Sequence, residues 1–542
     1  MFFAGSRHGS GQTSWIIARH NLILAAVERP FQNFVNAMTV QNTTAVMFVS
    51  RKLVPRRVLQ LILALLALSG SLFAQQSLIP PSEAAAPKRP SINLIRYQED
   101  WSSLCNRKAR SDFLDPLKCL SFRPLKEGSY LSLGGEFRGV YEDVLDDNWS
   151  NTPYPVNSFW LERFQLHADL HFNPHVRLFL QLESGQEQGR PGGPRPIDKK
   201  NLDFLNAFLE LDRGKNSKTP TVFRIGRQEM QFGAGRLVAV REGPNVRQGF
   251  YAARFTQQLN RWTLDAFAAR PAKDNPGIFD NVPLQTTSFW GVYSERALGG
   301  DPARVADFYY FGLDRKSAAF NQGTAREQRQ TVGARIAAGA PRLDDLRRMI
   351  PHYDIEAAYQ FGAFGQGSGK GSIEAWTVAS ELGVTLPRVP ARPRVGLRAD
   401  VASGDRDPHN DNLQTFNPLF PIGNYFGVLS DTGPGPINFY DLHPNVHTYF
   451  PHNISAETDW VIWWRQSLND GIYNVPGNLL VPSSTSQARF VGHRPGIEVR
   501  WQRDSHFYVQ GDYGVFFAGP FLQQSGHPHN LNYASMWIGY KF

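Results

Sequence analysis

The sequence predicts an all-β protein built as a single transmembrane antiparallel β-barrel. Segments in which apolar and polar residues alternate recur from Tyr130 to Phe542. Aromatic residues make up 13% of the chain, and Trp and Tyr stand near the ends of these segments, as the interfacial girdles of membrane barrels require. Beyond the apolar run at residues 58–68, no stretch approaches the roughly 18 apolar residues that a membrane helix needs.

The alternation is clearest in WLERFQLHADLHF, which begins at Trp160. Phe164 and Leu166 belong to its apolar face, whereas Arg163, His167 and Asp169 belong to its polar face. Successive side chains of a strand point to opposite sides, so this segment has one apolar and one polar surface. A soluble antiparallel sheet also accepts such strands. Soluble sandwiches rarely continue the pattern for more than four hundred residues, whereas a membrane barrel must, because closure satisfies every strand edge.

The chain divides into four segments. Residues 1–46 have the character of upstream sequence, because a basic flank and the apolar run VLQLILALLAL follow Met47. Residues 47–74 form a secretory signal with cleavage near Ala74. Residues 75–128, which include PPSEAAAPKRP, are interpreted as a periplasmic lead-in, and residues 129–542 as the barrel. The mature protein therefore leaves the cytoplasm.

Charge and cysteine content narrow the possible functions. Removing residues 1–74 takes away seven basic side chains and one acidic side chain, so the formal charge falls from +9 to +3. Nucleic acid is not an expected partner, because nucleic-acid-binding domains usually carry a strongly basic face. Cys105 and Cys119 could form a disulfide in an oxidising compartment, although two free thiols are equally compatible with the sequence.

The last residues, YASMWIGYKF, place Phe542, Tyr540 and Ile538 on one face of a final strand. This resembles the terminal strand of bacterial outer-membrane proteins, whose final Phe is part of the signal read by the barrel-assembly machinery. An ordinary edge strand that ends at the terminus is the alternative interpretation.

Several long motifs together resemble the alginate-export family of outer-membrane porins over residues from about 100 to 542. They are YLSLGGEFR, WLERFQLHADLHFNPHVRLFLQLESG, IGRQEMQFGAGRLVAVREGPNVR, GIFDN, FWGVY, ASGDRDP and TFNPLFPIGNYFG. The resemblance implies one antiparallel barrel of 18 strands in the outer membrane of a Gram-negative bacterium. It also implies a channel that passively conducts an anionic polysaccharide such as alginate, or smaller organic anions, without a cofactor. The chain would then contact outer-membrane lipid and lipopolysaccharide.

An anionic solute in a narrow lumen needs fixed cations, and Arg pairs bidentately with carboxylates. The candidate lumen residues are Arg163, Arg177, Arg227, Arg241, Arg247, Arg254, Arg398, Asp169 and Glu183. The arginines could line the solute path, or they could brace the barrel by pairing with lumenal acids. After REGPNVR the family pattern resembles RSFDGARL, whereas this chain has QGFYAARF, with Gln248 and Tyr251 in place of an Arg and an Asp. The charge of the pore, and with it the solute, depends on this difference.

Other functions find less support in the sequence. Asp405, Asp407 and Asp411 offer oxygen ligands for calcium, but no glycine turn or distal Glu accompanies them, so they form only a weak candidate site. The chain has neither a GxSxG elbow nor an HExxH motif, so an enzyme is not expected. A plugged structural or adhesive barrel and an outer-membrane hydrolase are the alternatives to a channel.

Overall fold

The computed structural model describes residues 89–121, 129–150, 152, 154–213, 219–299, 301–339, 349–365, 370–427 and 433–542. The interpretations of residues 1–46 and 47–74 lie outside these ranges. Within them, eighteen strands form one closed antiparallel sheet in which each strand pairs with the next along the chain. The first and last strands close the barrel, with Glu136 opposite Lys541. The fold predicted from the alternation and from the family resemblance is therefore confirmed.

The barrel strands are β1 (Tyr130–Leu145), β2 (Val156–Asn173), β3 (Val176–Gln188), β4 (Lys200–Asp212), β5 (Thr221–Gln228), β6 (Phe250–Leu259), β7 (Trp262–Lys273), β8 (Thr287–Leu298), β9 (Asp301–Phe320), β10 (Gly323–Ala338), β11 (Ile350–Phe364), β12 (Gly371–Thr385), β13 (Arg394–Ala402), β14 (Phe439–Phe450), β15 (Ile454–Arg465), β16 (Phe490–Gln502), β17 (Phe507–Ala518) and β18 (Leu531–Lys541). Short strands lie at Leu120–Ser121, Val282–Pro283, Ile472–Tyr473 and Leu479–Val481. The helices are α1 (Asp115–Lys118), α2 (Pro520–Gln524) and the 3-10 turns Arg96–Gln98, Ser102–Cys105, Arg107–Ala109, Asp147–Ser150, Pro451–Asn453 and Ser483–Thr485. No helix in the described part of the chain is long and apolar enough to span a membrane.

Burial follows the pattern of a protein whose outer surface faces lipid. On β2, Trp160, Phe164 and Leu166 point outward and are 50–57% exposed, whereas Arg163 and His167 point inward and are at most 5% exposed. A soluble protein buries its large apolar side chains and leaves its charges in water. The reversed arrangement is the one expected of a membrane barrel with an apolar exterior and a polar lumen.

The two ends of the barrel differ in the length of their connections. At the end where Phe542 lies, β2 joins β3 directly after Asn173, and β6 joins β7 directly after Leu259. The longest connections, from Ala402 to Phe439, from Arg465 to Phe490 and from Gln228 to Phe250, lie at the opposite end. Outer-membrane barrels have short periplasmic turns and longer extracellular loops, so the Phe542 end is the periplasmic one.

The lead-in, a name kept from this point for the described residues 89–121, folds onto this periplasmic end. Cys105 and Cys119 form a disulfide, with Cα atoms 5.1 Å apart. Leu120 pairs with Leu131 of β1, which fixes the last described residues of the lead-in at the barrel rim. The ring of Tyr97 packs edge-on against Phe208 on the lumenal wall, with ring centroids 5.2 Å apart. The lead-in therefore reaches into the lumen.

Lys118 makes the stability of the lead-in depend on pH in the alkaline range. Its side chain is buried over the ring of Trp101, with Nζ 4.7 Å from the ring centroid, and Nζ has no hydrogen-bond partner among the described residues. Burial, and then the nearby Arg96 guanidinium, lowers the pKa of Lys118 from 10.5 to about 8. Between these two values the unfolded lead-in holds a proton that the folded one has released, so its stability increases with pH over that window.

We expect Lys118→Met to stabilise the lead-in at neutral pH and to abolish this pH dependence. The Met side chain fills a similar volume without placing a cation in an apolar site. Hydrogen exchange of residues 89–121, corrected for intrinsic rates, should show protection that rises from about pH 8 to pH 10.5 in the wild type. The variant should show higher and constant protection. Equal protection in the two proteins at pH 7 would contradict this account.

Candidate functional site

Charged side chains on the inner wall near β1 and β2 form a dense network. Arg163 of β2 is fully buried and pairs with Glu136 at 2.9 Å and with Glu242 at 2.6 Å. Arg138 of β1 donates from Nη1 to the main-chain oxygen of Glu242 at 2.6 Å. Glu242 does not belong to the wall but to the connection between β5 and β6. The network therefore ties that connection to the barrel.

We call residues 229–249, which connect β5 to β6, the inner loop. Arg236 of this loop pairs with Asp354 at 2.8 Å and with Glu356 at 3.0 Å, both on β11. Glu242 of the same loop contacts β2 through Arg163. A segment that pairs with both β2 and β11 has to cross the lumen.

Within the inner loop, Arg247 pairs with Glu229 at 3.2 Å and with Glu242 at 2.8 Å. Burial alone would raise the pKa of Glu242, but Arg163, Arg247 and Arg138 outweigh it and hold the pKa well below its usual value. Glu242 therefore stays ionised, and it joins the inner loop to the wall electrostatically.

The remaining sequence-predicted residues also lie on the inner side, mostly in ion pairs. Arg177 contacts Asp169 at 2.6 Å, and Glu183 contacts Lys200 at 3.2 Å. Arg241 lies half-buried in the inner loop. The other pairs are Arg227 with Asp203 at 3.2 Å and Asp274 at 3.3 Å, Arg254 with Asp265 at 2.8 Å, and Arg398 with Glu381 at 3.5 Å. Within residues 225–255, which we call the arginine-rich stretch, Arg227, Arg247 and Arg254 thus have carboxylate partners, several of them on other strands.

The two residues that depart from the family pattern lie within this stretch. Tyr251 stacks with the Arg227 guanidinium, whose central carbon is 5.5 Å from the ring centroid, and its hydroxyl donates to the main-chain oxygen of Asn281 at 2.8 Å. Gln248 donates from Nε2 to the main-chain oxygen of Gly249 at 2.9 Å. Tyr251 therefore contacts Arg227 through its ring, in addition to the ion pairs of Arg227 with Asp203 and Asp274.

A cavity of about 600 Å³ remains on the other side of the lumen, lined mainly by β12 to β18. Its fixed cations are Arg394, Arg398, Arg500 and Lys541. Its carboxylates are Glu142, Glu242, Glu381, Glu457, Asp459, Glu498 and Asp512. Two of the seven carboxylates have their cations behind the lining, since Glu242 pairs with Arg163 and Arg247 and Asp459 pairs with Arg494, so both signs of charge are mixed around the cavity.

Arg500 differs from the other cavity arginines. Its guanidinium contacts Gln502 Oε1 at 3.0 Å and Gln510 Oε1 at 3.3 Å, and it lies 4.1 Å above the ring centroid of Tyr508. Glu498 and Asp512 are near enough to interact with it electrostatically, but no carboxylate of the described residues forms an ion pair with it within 4.0 Å. Lys541 also approaches Tyr508, 5.6 Å from its ring, and reaches Glu136 only at 3.7 Å. Arg500 is therefore the cavity cation best placed to bind the carboxylate of a solute.

Arg500 and Lys541 were not among the sequence-predicted site residues. The segment GIEVRWQ alternates Ile497, Val499 and Trp501 with Glu498 and Arg500, so the period-two rule could have assigned Arg500 to the lumen. The period-two rule does not show whether a carboxylate lies within ion-pair distance of Arg500, because that depends on the side chains of neighbouring strands.

The weak calcium candidates do not form a coordination shell. Asp405 Oδ1 accepts a hydrogen bond from the Asp407 main-chain N–H at 3.0 Å, as in an ordinary loop turn. Burial raises the pKa of Asp405 to about 6, which weakens it further as a cation ligand at mildly acidic pH. Among the described residues, no group of three His, Cys, Asp or Glu side chains is arranged to hold a metal ion.

Comparisons with known proteins agree with this architecture. The sequence profile of a family described as alginate export matches residues 129–536. The fold is similar to a BenF-like porin from Pseudomonas fluorescens Pf-5, with a TM-score of 0.52 and 11% identity over 76% of this chain and 98% of that one. It is also similar to OpdQ of Pseudomonas aeruginosa, with a TM-score of 0.50 and 11% identity over the same shares. No curated protein matches the chain in a sequence search.

Proposed function

The chain belongs to the alginate export family and lies in the outer membrane, and on that premise we propose that it is a passive channel for small organic anions, acidic sugars among them. The observation that carries the proposal is the Arg500 guanidinium, which lines the cavity and hydrogen-bonds to Gln502 and Gln510, with no ion pair to a described carboxylate within 4.0 Å. A solute carboxylate would complete the ion pair that the protein leaves open there.

The size of the cavity supports a small solute. Its volume of about 600 Å³ lies within the range of small-molecule sites, which runs from roughly 300 to 1,000 Å³. An extended polyuronate would have to thread past the inner loop, which crosses the lumen from β2 to β11. A single sugar acid or a short oligomer fits the cavity without displacing that loop.

The charge distribution supports local recognition of the solute. Carboxylates and cations are mixed around the cavity, so we attribute recognition of an anion to the contacts at Arg500 and not to a uniformly positive lumen. The ring of Tyr508 and the side-chain amide of Gln510 lie beside Arg500, and both suit a sugar ring that carries a single carboxylate. The carboxylates of the cavity can accept hydrogen bonds from sugar hydroxyls.

We expect Arg500→Gln to weaken block of the channel current by glucuronate by about tenfold, since a hydrogen bond to a charged group contributes about 1.5–3 kcal/mol. Glucose, which lacks the carboxylate, should be unaffected. The matched control is Arg494→Gln on the same strand. Arg494 is fully buried and pairs with Asp459, so its loss should lower the melting temperature more than it changes glucuronate block.

Planar-bilayer recordings of the purified barrel test the proposal and its alternatives together. Equal glucuronate block in the wild type and in Arg500→Gln would remove Arg500 from the solute path. A barrel with no conductance would support a plugged structural role, and release of product from a lipid or glycan in detergent would support a hydrolase.

A further inference from the structure

We propose that the lead-in is a resident plug of the periplasmic mouth, and that the channel reaches its full conductance only when the inner end of this plug leaves the lumen. The proposal rests on the channel function proposed above. The family match begins at residue 129, so the lead-in at residues 89–121 lies outside it. The contacts that the lead-in makes with the barrel and the inner loop indicate its role.

Arg96 anchors the plug at the seam where the barrel closes. The side chain is buried, and its Nη1 donates to the main-chain oxygen of Gly135 on β1 at 2.9 Å. Its Nη2 donates to the main-chain oxygen of Phe542, directly after β18, at 2.6 Å. Glu99 holds the guanidinium in place at 2.7 Å. One lead-in residue thereby bridges the first and the last strand.

Tyr97 reaches further into the lumen. Its ring packs edge-on against both Phe179 and Phe208, and its hydroxyl donates to the main-chain oxygen of Glu229 in the inner loop at 2.6 Å. Arg177 of β3 donates to the main-chain oxygen of Tyr97 at 2.8 Å. The plug and the inner loop therefore touch each other inside the barrel.

Leu94 brings the plug to the edge of the open cavity. It belongs to the cavity lining, and its main-chain oxygen accepts a hydrogen bond from Arg247 Nη2 of the inner loop at 3.1 Å. Withdrawal of this part of the lead-in would remove one side of the cavity wall and widen the path toward the periplasm.

The interactions of the inner end are compatible with release. Besides Arg96, the inner end is held by the hydrogen bonds of Leu94 and Tyr97 described above and by a small apolar cluster of Ile95 and Tyr97 with Phe179, Phe208 and Val240, all of them non-covalent. The outer end is fastened separately, because Asp112 contacts His506 in the turn between β16 and β17 at 2.9 Å and the Cys105–Cys119 disulfide closes its loop. The inner end can leave the lumen while the outer end stays on the rim.

Two full-length variants test the plug by opposite changes. In Tyr97→Cys/Phe208→Cys, a short thiol cross-linker would tether the inner end to β4, while the native cysteines stay protected as a disulfide. A matched control carries the same cross-link between Phe164 and Ser184, which are register partners on β2 and β3. In Arg96→Ala the seam anchor is lost.

We expect the tether to reduce the single-channel KCl conductance by at least about twofold, the Phe164/Ser184 control to leave it unchanged, and Arg96→Ala to increase the time spent in a high-conductance state. If Arg96→Ala does not assemble, the conductances of the tethered pair and of Tyr97→Ala still test whether the lead-in is a plug. Unchanged conductance in the tethered channel and in the released channel would overturn the plug. KCl conductance does not depend on solute recognition at Arg500, so this proposal and the proposed solute can fail separately.

Discussion

Arg163→Met is expected to lower the melting temperature of the barrel strongly. The side chain is fully buried between Glu136 of β1 and Glu242 of the inner loop. Removing one partner of a buried ion pair leaves the other charge without compensation, which costs about 3–5 kcal/mol. In the variant, Glu136 and Glu242 would both lose their shortest ion pair and keep only Lys541 at 3.7 Å and Arg247 at 2.8 Å with Arg138 at 3.6 Å, respectively. The loss of stability should therefore be accompanied by a loosened inner loop.

The matched control is Arg326→Met on β10. Arg326 pairs with Asp314 at 2.6 Å, a distance as short as that of the Arg163–Glu242 pair, but its side chain is 46% exposed. Exposed ion pairs contribute little to stability, so this variant should melt like the wild type. Thermal melts followed by circular dichroism in detergent compare the two. If Arg163→Met and Arg326→Met melted at the same temperature, the buried network would not brace the barrel.

This comparison bears on the two roles that the sequence left open for the lumenal arginines. Arg163 and Arg247 each contact two carboxylates, one of them Glu242 in both cases. Such arginines have little capacity left for a solute, which favours a bracing role for them. Arg500, with glutamine and tyrosine neighbours, has that capacity.

The barrel was predictable from the sequence because strand alternation is local. Alternation with adjacent residues predicts which face of the strand carries Phe164, Arg163 and Leu166. The structure places all three side chains on the predicted faces. The number of strands followed from the family resemblance, since alternation alone does not count them.

The contents of the lumen were not predictable in the same way. Arg236 pairs with Asp354, which lies 118 residues away in the sequence, and Arg96 hydrogen-bonds to Phe542, which lies 446 residues away. No local pattern reports such partners, so the crossing of the inner loop and the inward reach of the lead-in had no signal in the sequence. For the same reason, the sequence of the arginine-rich stretch does not show that distant carboxylates neutralise much of its positive charge.

The second large effect concerns Phe542, whose main chain completes the closing seam. Its N–H donates to the oxygen of Gly135 at 2.9 Å, and its oxygen accepts from the Gly135 N–H at 2.9 Å as well as from Arg96. Deleting the residue removes all three hydrogen bonds. At about 1 kcal/mol each, their loss exceeds the 1.4 kcal/mol that corresponds to a tenfold change in an equilibrium. We therefore expect the equilibrium constant between folded and unfolded barrel to fall by at least about tenfold, which would lower the urea concentration at which the barrel unfolds.

Phe542→Ala separates the seam from the assembly signal proposed for this residue. It keeps the main-chain bonds to Gly135 and removes only the aromatic ring. Folded barrel can be quantified from unheated samples on gels, where a closed barrel migrates faster than the unfolded chain. If the assembly machinery reads the ring, both variants should assemble poorly in cells, whereas only the deletion should unfold at a clearly lower urea concentration in detergent. Unfolding of the deletion variant at the same urea concentration as the wild type would show that the barrel closes without the Phe542–Gly135 pair, and that β1 and β18 hold through their ten other register positions.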